Sequence, residues 1–98
     1  MLAFIMKTYA WNPDKNELLK RERGISFEDV VFHIEAGDAV DIFAHPNQSK
    51  YPKQQIIVVC VEDYVYLVPF VENDEEIFLK TIIPSSKATK RYFGDENE

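Results

Sequence analysis

Gln54-Gln55-Ile56-Ile57-Val58-Val59-Cys60-Val61-Glu62-Asp63-Tyr64-Val65-Tyr66-Leu67-Val68-Pro69-Phe70-Val71 is the stretch on which the fold turns. Residues 54–61 form a nearly continuous apolar run, the pattern of a central strand buried on both faces. Glu62-Asp63 turns the chain, and residues 64–71 return as the next strand. A connection this short joins antiparallel neighbours. Pro69 has no N–H to give to a ladder, so the sequence places it at a bulge or at an edge.

Downstream, residues 72–76 read as an acidic turn and residues 77–83 as a further strand. Pro84 with Ser85 or Ser86 opens a short helix through Tyr92 or Phe93, and residues 94–98 read as a frayed acidic tail. Upstream, Ala39–Ala44 reads as a short strand, followed by the polar turn region His45-Pro46-Asn47-Gln48-Ser49-Lys50-Tyr51-Pro52. Before it the period is helical: Phe27, Val30, Val31 and Ile34 fall at i, i+3, i+4 and i+7 and make one core-facing stripe. Ser26 caps this helix, with Asp29 three residues on in a capping-box arrangement, and Gly37 ends it. An earlier helix runs from Pro13 to about Arg23, capped by Asn12, opened by a proline at its first position and stopped by Gly24. Residues 6–11 alternate as a first strand. The predicted order is β-α-α-β-β-β-β-α, an α+β domain of two N-terminal helices packed on an antiparallel sheet with a short C-terminal helix.

The 98 residues are enough for one hydrophobic core, and 46% hydrophobic content is that of an ordinary globular chain. Residues 1–98 read as a single domain, with its core over about 6–93 and no repeat or linker. Cys60 is the only cysteine, which excludes an intrachain disulfide and a cysteine-built metal site. Its apolar surroundings point to an inert buried thiol. No stretch approaches transmembrane length, and the apolar start Met1-Leu2-Ala3-Phe4-Ile5-Met6 lacks the basic region and cleavage site of a signal peptide. The expected compartment is the cytoplasm. The net charge of −6 argues against simple nucleic-acid binding, yet the charge is segregated. Lys80, Lys87, Lys90 and Arg91 occur in a segment without acids, and Lys7, Lys15, Lys20, Arg21 and Arg23 outnumber the acids around them. The stretches 28–41 and 62–76 carry eleven carboxylates and no Lys or Arg. If the basic stretches meet in space, one face attracts RNA while the rest repels it.

Three pieces of sequence carry a resemblance. They are Trp11-Asn12-Pro13-Asp14-Lys15, then Gly24-Ile25-Ser26-Phe27-Glu28, then Ile82-Ile83-Pro84-Ser85-Ser86-Lys87-Ala88-Thr89. In that order and at that spacing they resemble the BrnT family of bacterial toxins, over roughly residues 6–92. The resemblance implies a RelE-like fold and a metal-independent endoribonuclease that cuts mRNA by attack of the ribose 2′-hydroxyl. It implies no cofactor. It also implies a ribbon-helix-helix DNA-binding antitoxin as partner, RNA as substrate, no membrane, and a homo-oligomer or a toxin–antitoxin hetero-oligomer as the assembly.

That chemistry needs cations for the developing charge, a group to move protons and an aromatic surface for a splayed base. The resemblance directs the catalytic role to Lys15, Arg23, Lys80 and Lys87. It directs RNA binding to Lys20, Arg21, Lys53, Lys90, Arg91 and Tyr92. His45, in its turn beside Pro46, is a candidate acid–base group, and no metal ligands are expected. Each has a plainer reading: Lys15 and Lys87 as solvated surface residues, Arg23 as a complement to the helix dipole, Tyr92 as packing. Glu22-Arg23 stands where the family has Lys-His, and Ser86 where it has an arginine. Those two departures define the alternative, a catalytically weakened homologue that only binds an antitoxin or RNA. A stand-alone interaction module is the third reading.

Overall fold

The computed structural model describes residues 7–94. The elements are β1 (Thr8–Ala10), α1 (Pro13–Arg23), α2 (Phe27–Glu35), β2 (Ala39–Ala44), β3 (Gln55–Val61), β4 (Tyr64–Glu72), β5 (Glu76–Leu79), β6 (Ile83–Pro84) and α3 (Ser86–Phe93). The strand order is β1-β5-β4-β3-β2, with β6 pairing β4. This is the α+β architecture expected from the sequence. Residues 1–6, with the expected strand position Met6, and residues 95–98 of the tail lie outside the described residues.

The local signals act as their chemistry requires. The Asn12 side chain accepts from the Asp14 and Lys15 N–H groups at the head of α1, and Gly24 closes that helix in the left-handed region at φ 68°. Ser26 and Asp29 form the reciprocal capping box of α2. Glu62 and Asp63 both take positive φ, 51° and 69°, as the tightest two-residue hairpin demands.

The sheet departs from a pure antiparallel meander in two ways. β1 lies parallel to β5, with Tyr9 opposite Ile77. The strand expected over 77–83 is split into β5 and β6, and Pro69 is where it splits. The β3–β4 register runs through Ile56 and Pro69 without a shift, so Pro69 is in a central strand and not at a bulge. On its other side the Pro69 carbonyl accepts from the Lys80 N–H at 2.8 Å. Proline returns no N–H, so the ladder lapses there. Residues 80–82 leave the sheet, and pairing resumes between Leu67 and Ile83 of β6.

α1 and α2 cover one face of the sheet. Leu19, Ile25, Phe27 and Val30 pack there with Ile57, Val59, Val61, Val68, Phe70, Ile77, Leu79 and Ile82, all buried. Trp11 stacks on Phe27 at 5.6 Å between centroids. Fully burying a side chain such as Phe27 contributes about 1.5–3 kcal/mol. A buried side-chain amide joins the helices: Asn16 Oδ1 accepts from the Phe27 N–H at 2.7 Å, and Asn16 Nδ2 donates to Glu28 at 2.7 Å. That bond holds the Glu28 carboxyl below its ordinary range. Both polar ends of a nearly inaccessible side chain are therefore satisfied.

Candidate nucleic-acid interface

Alternation along the strands defines the second face of the sheet. With Ile57 and Val59 turned to the helices, Val58 is turned away, beside Asp41 of β2 and Leu67 of β4. α3 lies over this row. Lys87, Ala88, Arg91 and Tyr92 recur at helical spacing on one stripe and line a groove with Ser85, Asp41, Phe43, Val58 and Leu67. Lys90 is on the same helix but does not border the groove.

Hydrogen bonds to the backbone of β4 hold α3 in place. Thr89 Oγ1 accepts from the Val65 N–H at 2.9 Å and donates to the Ser85 carbonyl at 2.7 Å. The Ser85 N–H donates to the Val65 carbonyl at 3.0 Å, and the Ser85 hydroxyl caps Ala88. The edge that β4 leaves open past β6 is thus closed by a helix cap and one threonine. None of the α3 side chains is buried, so these bonds matter more here than packing.

A second groove opens beyond the C-terminal ends of the parallel pair β1 and β5. Its lining is Asn12, Asp14, Lys15, Leu18, Phe78 and Lys80. Phe78 alternates with the buried Ile77 and Leu79, which places it on the α3 side of the sheet, and Lys80 follows directly on the end of β5 with its N–H still bonded to Pro69. The Lys80 ammonium stands 5.6 Å from the centre of the Phe78 ring. Neighbouring strands are about 4.8 Å apart, so the β5 and β3 ends of this face are separated by roughly 10 Å.

The candidate residues divide accordingly. Lys15 and Lys80 meet in one groove, and Lys87, Arg91 and Tyr92 meet in the other. Arg23 borders neither; its guanidinium donates to the main-chain carbonyl of Ile82, in the segment that links Lys80 to β6. Lys20 is paired with Glu17 at 3.1 Å, which raises its pKa, and Arg21 is exposed in the last turn of α1. Lys53 lies in the connection between β2 and β3 with φ 64°, next to the turn that holds His45. There His45 Nδ1 accepts from the Asn47 N–H at 3.0 Å, and the ring packs 4.4 Å from Tyr51. His33 is paired with Asp38 at 2.8 Å at the end of α2. Neither histidine borders a cationic groove.

Two residues of the α3 groove escaped the sequence reading. Asp41 carries a carboxylate oxygen 3.4 Å from the Tyr92 hydroxyl. Partial withdrawal from water, and then the Asp41 charge, push the Tyr92 pKa above its ordinary value. Phe43 is 40% exposed beside them. Asp41 and Phe43 alternate on one short strand, a signal available in the sequence once the face is known. Cys60 is partly exposed, not fully buried, and its thiol is pushed up by desolvation and by Asp38, which disfavours the thiolate.

Among the described residues, no three His, Cys, Asp or Glu side chains converge in a way that would hold a metal ion. Among the same residues no helix is long and apolar enough to cross a membrane. Comparison of the chain with protein-family models, with curated proteins and with solved structures finds no match.

Proposed function

We propose that this chain is the toxin of a BrnT-like type II toxin–antitoxin pair, a cytoplasmic endoribonuclease that cleaves mRNA without a metal. The observation that carries the reading is the placement of Lys80, Lys87, Arg91 and Tyr92 on one face of the sheet. None of the three cations there is paired with a carboxylate among the described residues, although the chain has 17 acids against 11 basic residues. Unneutralised cations on one face of an acidic protein favour a polyanionic ligand.

In the reaction the 2′-oxygen of RNA bonds to the adjacent phosphorus, and the bond from phosphorus to the 5′-oxygen breaks. The products are a 2′,3′-cyclic phosphate and a 5′-hydroxyl. Lys87 and Arg91 stabilise the charge that accumulates on the phosphoryl oxygens. Asp41 takes the 2′-hydroxyl proton, and Tyr92 gives a proton to the departing 5′-oxygen. Arg23 acts through the backbone at Ile82, positioning the segment between the two grooves. A ribbon-helix-helix antitoxin is the proposed partner, in a hetero-oligomer that silences the enzyme.

Two observations favour a second reading, the binding-only homologue: both histidines are engaged away from the two cationic grooves, and Ser86 supplies no guanidinium. Incubating purified protein with end-labelled single-stranded RNA in EDTA separates the two. Fragments ending in 2′,3′-cyclic phosphate support the enzyme. Intact RNA that is nevertheless bound leaves the binding-only homologue.

A further inference from the structure

The groove beyond β1 and β5 combines groups that the bond-breaking step by itself does not call for. It offers an aromatic face (Phe78), two cations (Lys15 and Lys80) and a carboxylate (Asp14) around one opening. Neither lysine nor Asp14 has an ion pair or side-chain hydrogen bond among the described residues. The Asn12 oxygen is occupied by the Asp14 and Lys15 N–H groups, so its amide N–H donors are left for another acceptor. The backbone donors at the head of α1 are thereby taken, and the free positive charge in the groove comes from side chains.

An unpaired nucleotide presents the matching set. Its base has a π-face that stacks on an aromatic ring, its flanking phosphates need cations, and its edge carries donors and acceptors. Guanine alone shows two adjacent donors, N1–H and the 2-amino group, which the two oxygens of one carboxylate accept together. We propose that this groove is a nucleotide subsite: one unpaired base stacks on Phe78, Lys15 and Lys80 hold its phosphates, and Asp14 selects guanine. The inference rests on reading this face as an RNA surface and assigns a base preference to it. Phe78 lies opposite Val71 and Val58 lies opposite Leu67, so the subsite stands two strands across and four residues along from the α3 groove, roughly 16 Å in all, and holds a base a few nucleotides from the scissile bond.

Fluorescence anisotropy of the full chain with a labelled, uncleavable 2′-O-methyl hexanucleotide tests it. One oligonucleotide contains a single guanine and another replaces it with adenine, and GMP and polyglutamate serve as competitors. For the guanine oligonucleotide, Phe78→Leu is expected to weaken binding about tenfold without altering its salt dependence, because stacking carries no counterions. Lys80→Gln is expected to lower the slope of log affinity against log salt by about 0.7. Asp14→Asn is expected to abolish the preference for guanine over adenine. GMP competition weakened by Phe78→Leu places the base itself in the groove, whether it arrives free or in a strand. Unchanged affinity in Phe78→Leu and an unchanged slope in Lys80→Gln, with wild-type binding intact, overturn the subsite while the reading of the face stands. Wild-type protein that binds no RNA overturns the reading beneath it. Displacement of RNA by polyglutamate as effective on Phe78→Leu as on wild type would make the groove a site for acidic peptides instead.

Discussion

Thr89→Val removes a hydroxyl and keeps the shape of the side chain, and its effect falls on the helix that carries Lys87, Arg91 and Tyr92. The Val65 N–H loses its acceptor at 2.9 Å. Val65 is fully buried, so water does not replace the lost partner. An unsatisfied buried donor costs about 1–3 kcal/mol. The Ser85 carbonyl still accepts from the Thr89 N–H at 3.0 Å, so it adds little. Eight residues make a helix too short to persist alone in water, and α3 buries no side chain that would compensate. The cost therefore appears as undocking of α3. At a factor of ten per 1.4 kcal/mol, the opening equilibrium rises roughly 5- to 150-fold. Native-state hydrogen exchange at the Val65 amide reads it directly, as faster exchange by that factor. RNA cleavage should fall only as far as the undocked form becomes populated, and Thr89→Ser, which retains the hydroxyl, should preserve both. A Val65 amide as protected in Thr89→Val as in wild type, or an equal loss in Thr89→Ser, would mean that the hydroxyl does not hold α3 on β4.

Three further outcomes follow from other parts of the fold. Asn16→Ala leaves the Phe27 N–H unpaired in the core and should destabilise the protein by about 2–3 kcal/mol, a fall in Tm of roughly 10–20 °C followed through Trp11 fluorescence. Glu28 has a depressed pKa in the folded state, so its contribution is present above its unfolded value near pH 4.3 and lost as pH falls through the folded value. The stability gap between wild type and Asn16→Ala should accordingly narrow as urea titrations are repeated from about pH 6 down to pH 3. Replacing Glu62-Asp63 by Asn-Gly relieves two side chains held at positive φ and should raise stability by about 1–2 kcal/mol, measured as a higher urea midpoint.

What the sequence made legible was local. Ser26 and Asp29 lie three residues apart, and the capping box forms as the pattern requires. The apolar run through Val61 and its two-residue turn specify the β3–β4 hairpin by themselves. The parallel partnership of β1 with β5 was not legible, because it joins residues nearly seventy positions apart and nothing in either segment encodes the choice. Pro69 announced an interruption, but the interruption falls on its neighbour: the strand expected over 77–83 breaks, and β4 does not. The site shows the same division. Lys15 and Lys80, or Lys87 with Asp41, are brought together only by the sheet. Arg23 carries a guanidinium suited to phosphate, yet its acceptor is a carbonyl 59 residues on, which no local pattern reveals. Phe78 read as one more apolar strand residue until the register placed it outside the core.

The most direct test compares charge removal on the two sides of the molecule. Lys80→Gln/Lys87→Gln and Lys20→Gln/Arg21→Gln each remove two positive charges, the first pair from the α3 side of the sheet and the second from α1. With end-labelled single-stranded RNA in EDTA, the first variant is expected to lose cleavage and the release of 2′,3′-cyclic phosphate ends. The second should cut at close to the wild-type rate. Equal loss in both, from proteins that remain folded, would contradict a defined catalytic face and leave only the general attraction of cations for RNA.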